Sequence, residues 1–143
     1  MTKYILASFL VVASVQASDL KDIFRAIGQV ESGNRDNAPW GDGGKSRGRY
    51  QIQKDYHTDS RVPGNYARVT NKEYAERVMI GYWKRYCPDA LRKGDAQTLA
   101  RVHNGGPAGH KKSATLGYWN KVNAVLKKIE KAKNVKGVKK SKK

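Results

Sequence analysis

The chain has 143 residues and a formal net charge of +17, with 29 Lys and Arg against 12 Asp and Glu. This length predicts one small domain, and the charge favours polyanionic partners such as nucleic acid, anionic membranes or bacterial wall polymers. The single cysteine, Cys87, excludes a disulfide within the chain. Either this thiol is buried and unreactive or it pairs with a second chain, and we expect a buried thiol in a monomer.

The first residues are typical of a secretory signal peptide. Lys3 precedes an apolar run over 4–15 that is too short to span a bilayer, and Val15 and Ala17 supply the small residues of a cleavage site. We therefore predict a signal peptide over 1–17, a secreted, extracellular protein and no transmembrane segment. The alternative is that this run forms a buried first helix.

An amphipathic helix is predicted over residues 19–31 and is expected to end at Gly33. Its apolar residues recur at helical spacing: Leu20, Ile23, Phe24, Ile27 and Val30. Glu31 falls on the same face, at the end where the helix dipole disfavours negative charge. Burial and the dipole both favour the protonated carboxyl, which can then donate a proton. The alternative is that Glu31 turns out to solvent at a frayed helix end.

Residues 41–52 read GDGGKSRGRYQI, which ends a phosphate-binding P-loop pattern at Ser46 but has Pro39 where the first glycine should be. The glycines instead predict a bend that presents Asp42 among backbone amides, which keep a carboxylate ionised. GRYQI predicts a short β-hairpin with a strand over 50–52. A protonated acid facing an ionised partner is what a glycosidase needs. Three rival partners fit on spacing alone: Asp36, Asp55 and Asp59.

Three more helices are predicted in the rest of the chain. The capping-box sequence at 70–73 opens a helix that Pro88 ends. Asp95 caps a short helix, and the glycine-rich stretch 103–110, HNGGPAGH, predicts a loop. The last helix is expected over 114–131.

Beyond Leu126 the chain carries nine lysines, one glutamate and no arginine. Apolar periodicity is lost from about Asn134, which predicts a disordered basic tail over 133–143. Such a tail serves either solubility or salt-sensitive adhesion without specificity. The predicted division is a signal peptide over 1–17, a catalytic domain over 18–132 and the tail over 133–143.

His103 could serve three kinds of chemistry. With Cys87 it could form a thiol-protease pair, but no orienting group accompanies them. With His57 and His110 it matches no metal-ligand spacing, so we expect no metal and no cofactor. A histidine followed by Asn and Gly suits hydrogen bonding to a polar ligand, or is simply structural.

Several blocks together resemble the invertebrate-type lysozymes, also called the destabilase family. The blocks are VESGN (30–34), GRYQI (48–52), YWKRYCP (82–88), ARVHNGGPAG (100–109) and TLGYWNKV (115–122). The resemblance runs from about residue 27 to residue 122. It implies an α+β, mostly helical lysozyme-like fold with a substrate cleft and a short β-hairpin. It also implies an antimicrobial, bacteriolytic glycosidase that cleaves the β-1,4 bond between N-acetylmuramic acid and N-acetylglucosamine in peptidoglycan.

The resemblance implies roles for individual residues. Glu31 takes the place of the general acid, and Asp42 that of the nucleophile or charge stabiliser. The implied substrate-binding residues are Gln51, Lys54, Tyr56, Tyr86, His103, Asn104 and Gly105. Members of the family are usually dense in disulfides, so this chain must depend on packing and hydrogen bonds alone.

Two alternatives stand beside this hypothesis. A lytic transglycosylase would use Glu31 without a second carboxylate. A non-enzymatic cationic protein would act on anionic membranes or nucleic acid through charge alone. The expected partners are peptidoglycan and the anionic polymers of the wall, with nucleic acid bound only non-specifically.

Overall fold

The computed structural model describes residues 18–141, so the predicted signal peptide over 1–17 lies outside the described residues. Within that range the chain forms six α-helices, two short β-strands and three 3-10 helices. The α-helices are α1 (Leu20–Ser32), α2 (Lys54–Ser60), α3 (Lys72–Tyr86), α4 (Pro88–Lys93), α5 (Ala96–Gly105) and α6 (Leu116–Lys140). The strands are β1 (Ser46–Arg47) and β2 (Ile52–Gln53), and the 3-10 helices are Tyr66–Thr70, Gly109–Lys111 and Ser113–Thr115. The predicted α+β, mostly helical class is confirmed. None of the helices in this range is both long enough and apolar enough to cross a membrane.

Helix α1 begins and ends where the sequence predicts. The Asp19 side chain accepts a hydrogen bond from the backbone N–H of Lys21 at 2.9 Å and so caps the first turn. Gly33 follows the last turn with a left-handed φ of 65° and donates to the carbonyl oxygen of Gln29. The apolar face, including Ile23 and Ile27, is fully buried.

The predicted hairpin is present, but its second strand begins later than expected. β1 and β2 pair antiparallel, with Arg47 opposite Ile52. Tyr50 and Gln51 belong to the connecting turn because Gln51 has a positive φ of 49°, which strand geometry does not allow. Gly48 is required in this turn, since a Cβ there would lie 2.6 Å from the carbonyl oxygen of Val69.

The middle helices correct three details of the prediction. Asn71, not Thr70, caps α3 by accepting from the N–H of Tyr74 at 2.8 Å. Pro88 follows the end of α3 and begins α4, because a proline at the first helical position sacrifices no intrahelical hydrogen bond. The sequence did not predict α2, which has only seven residues.

Helix α5 is capped by Asp95 as predicted, through the N–H of Thr98 at 3.1 Å. The predicted loop over 103–110 is wrong at its start, since residues 103–105 complete α5. The helix ends only at Gly106, where φ reaches 85° and an L-residue would be strained. His103 therefore occupies a rigid helical position.

Helix α6 continues to Lys140, whereas the sequence predicted a disordered tail over 133–143. Lysine is a good helix former, and lysines in the last turn interact favourably with the helix dipole. Lys133 Nζ also forms an ion pair with Asp22 on α1. The helix is therefore much longer than its apolar pattern suggests.

The core joins α1, α3, α5 and α6. Phe24 stacks on Trp83 with ring centroids 5.6 Å apart, and the indole N–H of Trp83 donates to the carbonyl oxygen of Leu99 at 3.1 Å. Cys87 is a free, buried thiol, as expected, and burial raises its pKa to about 11. This packing brings the end of α1, the end of α5 and the start of α6 together.

Candidate active site

A cleft of about 300 Å³ opens between the end of α1, the bend before β1, helix α2 and the end of α5. Most of its lining side chains are polar, and two tyrosines form an aromatic wall. The lining residues are Glu31, Asp42, Ser46, Gln51, Gln53, Asp55, Tyr56, Asp59, Tyr82, His103, Asn104 and Gly106.

Glu31 points into the cleft and is held there. Only 20% of its side chain is exposed. The hydroxyl of Tyr118, at the start of α6, donates to Oε1 at 2.9 Å, and Nε2 of His103 lies 3.6 Å from the same oxygen. Burial, followed by the negative charge of Glu31, raises the pKa of Tyr118 well above its usual range, so Tyr118 remains a neutral donor. The alternative of a solvent-directed Glu31 is not what the fold adopts.

The residue after Glu31 fixes the end of α1 to the hairpin. The Ser32 hydroxyl donates to the carbonyl oxygen of Arg49 at 2.7 Å and accepts from the N–H of Arg35 at 3.1 Å. Asn34 accepts from the guanidinium of Arg49 at 3.2 Å. The block that follows Glu31 therefore positions the acid relative to the opposite side of the cleft.

His103 belongs to a buried hydrogen-bond chain, with only 3% of its side chain exposed. Its Nε2 lies 3.0 Å from the carbonyl oxygen of Tyr50, which can only accept, so Nε2 carries a proton. In the neutral ring Nδ1 is then the acceptor, and it receives a hydrogen bond from the Tyr56 hydroxyl at 3.1 Å. The ring is thus oriented with an N–H near Glu31.

Asp42 sits at the tip of the tight bend that precedes β1. Asp42, Gly43 and Gly44 all have positive φ. The carbonyl oxygen of Gly41 accepts backbone hydrogen bonds from Gly44, Lys45 and Ser46 and so closes the bend. The glycines are needed because three successive left-handed residues would strain larger side chains.

The Asp42 carboxylate has two donors from the hairpin. The Ser46 hydroxyl donates to Oδ2, and the Gln53 amide donates to the same oxygen at 3.5 Å. Ser46 is fully buried, which fixes its hydroxyl. Asp42 itself is exposed at the cleft edge, so Glu31 and Asp42 occupy different surroundings in one cleft.

Stacked tyrosines line the side of the cleft formed by α2 and α3. The rings of Tyr56 and Tyr82 stack at 3.7 Å between centroids, with 9° between their planes. Burial raises the pKa of Tyr82 to about 12 and that of Tyr56 well above its usual range, so both phenols remain neutral. Tyr82 is buried and covers one face of the Tyr56 ring, so Tyr56 is the partly exposed member of the pair.

Comparisons with known proteins agree on one family. No protein-family model matches the chain. The chain is 39% identical over 90 residues to invertebrate-type lysozyme 6 of Caenorhabditis elegans, covering 54% of this chain and 65% of the relative. It is 32% identical over 125 residues to a lysozyme of Magallana gigas, covering 82% of this chain and 91% of the relative. The chain belongs to the invertebrate-type lysozyme family.

Solved structures support membership of the same family. The crystal structure of Tapes japonica lysozyme matches with a TM-score of 0.64 and 28% identity, covering 74% of this chain and 91% of that chain. An inhibitor-bound lysozyme from Meretrix lusoria matches with a TM-score of 0.64 and 34% identity, covering 75% of this chain and 88% of that chain. The protein is therefore an enzyme of the glycoside hydrolase class.

Of the seven residues predicted to bind substrate, four line the cleft of this enzyme: Gln51, Tyr56, His103 and Asn104. The other three are not among its described lining residues. Lys54 is the exposed first residue of α2, and Tyr86 packs edge-on against Tyr82 at 4.7 Å. The carbonyl oxygen of Gly105 accepts from Lys112 Nζ at 2.7 Å.

Several site residues were not predicted to have a role there: Ser46, Gln53, Tyr82, Tyr118 and Gly106. Tyr118 lies within the TLGYW block, which was the available signal, but no spacing rule connects it with Glu31. The rival carboxylates divide into two groups. Asp36 is ion-paired with Arg49 at 2.7 Å and is not among the described lining residues, whereas Asp55 and Asp59 line the cleft, with Asp59 3.5 Å from Arg85.

The cleft is acidic although the chain is strongly basic. Four carboxyl groups line it, and no Lys or Arg is among the described lining residues. Residues 18–141 contain no group of three or more His, Cys, Asp or Glu side chains placed to hold a metal ion. The chemistry that this arrangement supports is acid–base and nucleophilic chemistry by carboxyl groups.

Proposed function

We propose that this enzyme hydrolyses the β-1,4 bond between N-acetylmuramic acid and N-acetylglucosamine in bacterial peptidoglycan. Glu31 acts as the general acid and Asp42 as the nucleophile or charge stabiliser. The observation that carries the proposal is that these two carboxyl groups line one cleft from different elements and in different surroundings. The relatives named as lysozymes support the same substrate class.

The surroundings of Glu31 suit proton donation. Both of its recorded partners, Tyr118 and His103, approach Oε1. Oε2 is therefore the oxygen that carries the proton towards the bridging oxygen of the glycosidic bond. As that bond breaks, its electron pair stays with the departing sugar, which takes the proton from Glu31.

Asp42 balances the positive charge that develops at the anomeric carbon. The donors Ser46 and Gln53 hold Oδ2 and leave Oδ1 to face the sugar. Attack by this oxygen gives a glycosyl–enzyme ester, which water then cleaves while Glu31 accepts the water proton. Two displacements at one carbon retain its configuration.

The rest of the cleft supplies substrate contacts. Tyr56, which is partly exposed, and Asn104, which is exposed at the end of α5, contact the sugar directly. Tyr82 and His103 are buried and act by holding Tyr56 in place, through ring stacking and a hydrogen bond. Gln51 acts indirectly, since its amide donates to the carbonyl oxygen of Gly48 at 3.0 Å and so stabilises the hairpin turn. Contacts by Lys54, Tyr86 and Gly105 stay predictions for a longer glycan that reaches past the cleft.

The proposal includes secretion. A signal peptide over 1–17 would direct the enzyme to the extracellular space, where bacterial walls are accessible. The folded catalytic domain is assigned to residues 18–132, and the enzyme is assigned an antimicrobial, bacteriolytic role.

Analysis of the products of digestion tests the proposed reaction. Purified peptidoglycan digested by the enzyme should yield N-acetylmuramic acid at new reducing ends, with the β configuration in the first product formed. A 1,6-anhydro-muramic acid product would identify a lytic transglycosylase instead and would remove the need for Asp42. An initial α product would contradict the assigned two-step displacement.

A further inference from the structure

The last three turns of α6 bury no residue against the rest of the domain. Ile129 is the last buried residue of the helix, and every residue over 130–141 is exposed. We call residues 130–140 the α6 extension. It carries five lysines and one glutamate, and contains neither arginine nor an aromatic residue.

The lysines of this extension repel one another. Its 11 residues span about 16 Å and form the last part of the 25-residue helix α6. Lys136 lies three and four residues before Lys139 and Lys140, where like charges destabilise a helix. Among the described residues, Lys133 of the extension forms an ion pair with Asp22 on helix α1. An anionic partner that neutralises the lysines would stabilise the extension.

We propose that the α6 extension binds the anionic phosphodiester polymers of the bacterial cell wall, an inference that rests on the proposed function for its choice of partner. At 100° per residue, four lysines, Lys133, Lys136, Lys139 and Lys140, fall within about 120° on one side of the helix, and Lys131 lies on the other side between Val135 and Val138. A helix that lies on a bilayer needs one apolar face opposite a charged face. In the extension the side opposite the four lysines holds only two valines, separated by Lys131, whereas a flexible linear polyanion can contact all four lysines along one side.

The side-chain chemistry separates this partner from nucleic acid. Proteins that bind single strands add aromatic rings that stack on bases, and arginine adds bidentate phosphate contacts. The extension has neither, so it offers point charges to a polymer without bases.

The position of the extension connects it with the cleft. Tyr118, near the start of α6, donates to Glu31, and the extension begins 12 residues later, about 18 Å along the helix axis. Wall polymers are covalently attached to the glycan that the cleft is proposed to accept. Binding to both would raise the local concentration of glycan at the cleft. The four carboxyl groups of the cleft repel the polyanion, so the two binding sites do not compete.

Binding to purified poly(glycerol phosphate) at several salt concentrations tests this inference. The test variant replaces Lys131, Lys136, Lys139 and Lys140 with Gln, a residue of similar helix propensity. The control variant makes the same change in net charge elsewhere, at the exposed residues Lys84, Lys93, Lys111 and Lys121. We expect the test variant to lose about tenfold or more in affinity at low salt and about 3 units in the slope of log K against log [salt]. The control should lose about threefold or less.

Three other outcomes would overturn the inference. Equal losses in the two variants would mean that total charge alone drives binding. Wild-type protein that ignores the polymer but binds anionic vesicles would assign the extension to membranes, and much tighter binding to an oligonucleotide with the same number of phosphates would assign it to nucleic acid. Because poly(glycerol phosphate) contains no glycan, this result is independent of hydrolysis. Cleavage of a soluble peptidoglycan fragment by the test variant separately reports on the proposed function.

Discussion

At the residue scale, the acid Glu31 depends on side chains that are remote from it in sequence. Tyr118 is 87 residues away along the chain, and His103 comes from a third helix. The sequence predicted a carboxyl on the apolar face of α1, and that face does direct Glu31 inward. Its hydrogen-bond partners could not be predicted because α6 reaches Glu31 only through the packing of the whole helical core.

Replacing Tyr118 with Phe removes one donor from Glu31 and keeps the ring. We expect kcat to fall about tenfold, because one hydrogen bond to a charged group contributes about 1.5–3 kcal/mol and part of that is lost positioning. His103, Tyr56 and Asp42 also face this region and are unchanged in the variant. An unchanged kcat would mean that the hydrogen bond from Tyr118 does not position Glu31.

Asp42 is the second residue whose role is assigned from its position. Asp42→Asn should lower kcat by about 10³-fold or more, because the amide can neither attack the anomeric carbon nor balance its charge. Asp36→Asn is the control, since that carboxylate is exposed and paired with Arg49, and its activity should stay within about threefold of wild type. If Asp42→Asn remained active while Asp55→Asn did not, the partner of Glu31 would be Asp55.

At the element scale, the ends of helices were predictable where a capping residue or a turn residue specifies them. Asp95 caps the helix that the sequence assigned to it, and Gly33 ends α1. The errors occurred where packing rather than propensity decides a boundary. α5 continues through Gly105 because only Gly106 needs a positive φ, and α2 is too short to show a clear period.

Close packing of the segment after α5 is tested by a glycine pair. A Cβ at Gly109 would lie 2.0 Å from the carbonyl oxygen of Arg101 and 2.8 Å from its carbon, so backbone would have to move. Gly109→Ala should therefore lower the free energy of unfolding by about 1–3 kcal/mol. Gly117→Ala in α6 is the control, because a Cβ there meets no atom within 4 Å, and it should be neutral or stabilising by up to about 1 kcal/mol. Urea unfolding measures both, and equal effects would contradict the packing described for Gly109.

At the scale of the whole molecule, charge is separated between two regions. The chain carries +17 overall, yet four carboxyl groups line the cleft and lysines concentrate on the exposed end of α6. The sequence predicted the basic end but not its helical form, and it predicted the two catalytic candidates but not the hydrogen bonds that hold them. A single buried thiol leaves the fold dependent on its core, where Phe24, Trp83 and Tyr50 pack together.

The rate at which purified bacterial walls lose turbidity tests the central assignment most directly. Glu31→Gln keeps the shape of the side chain and its contact with Tyr118 but removes the transferable proton. We expect the folded variant to lose activity by about 10²–10⁴-fold. Glu73→Gln, which neutralises an exposed carboxylate that is not among the described lining residues, should lyse walls at the wild-type rate. Wall lysis by Glu31→Gln at the wild-type rate would contradict the assignment of Glu31 as the general acid.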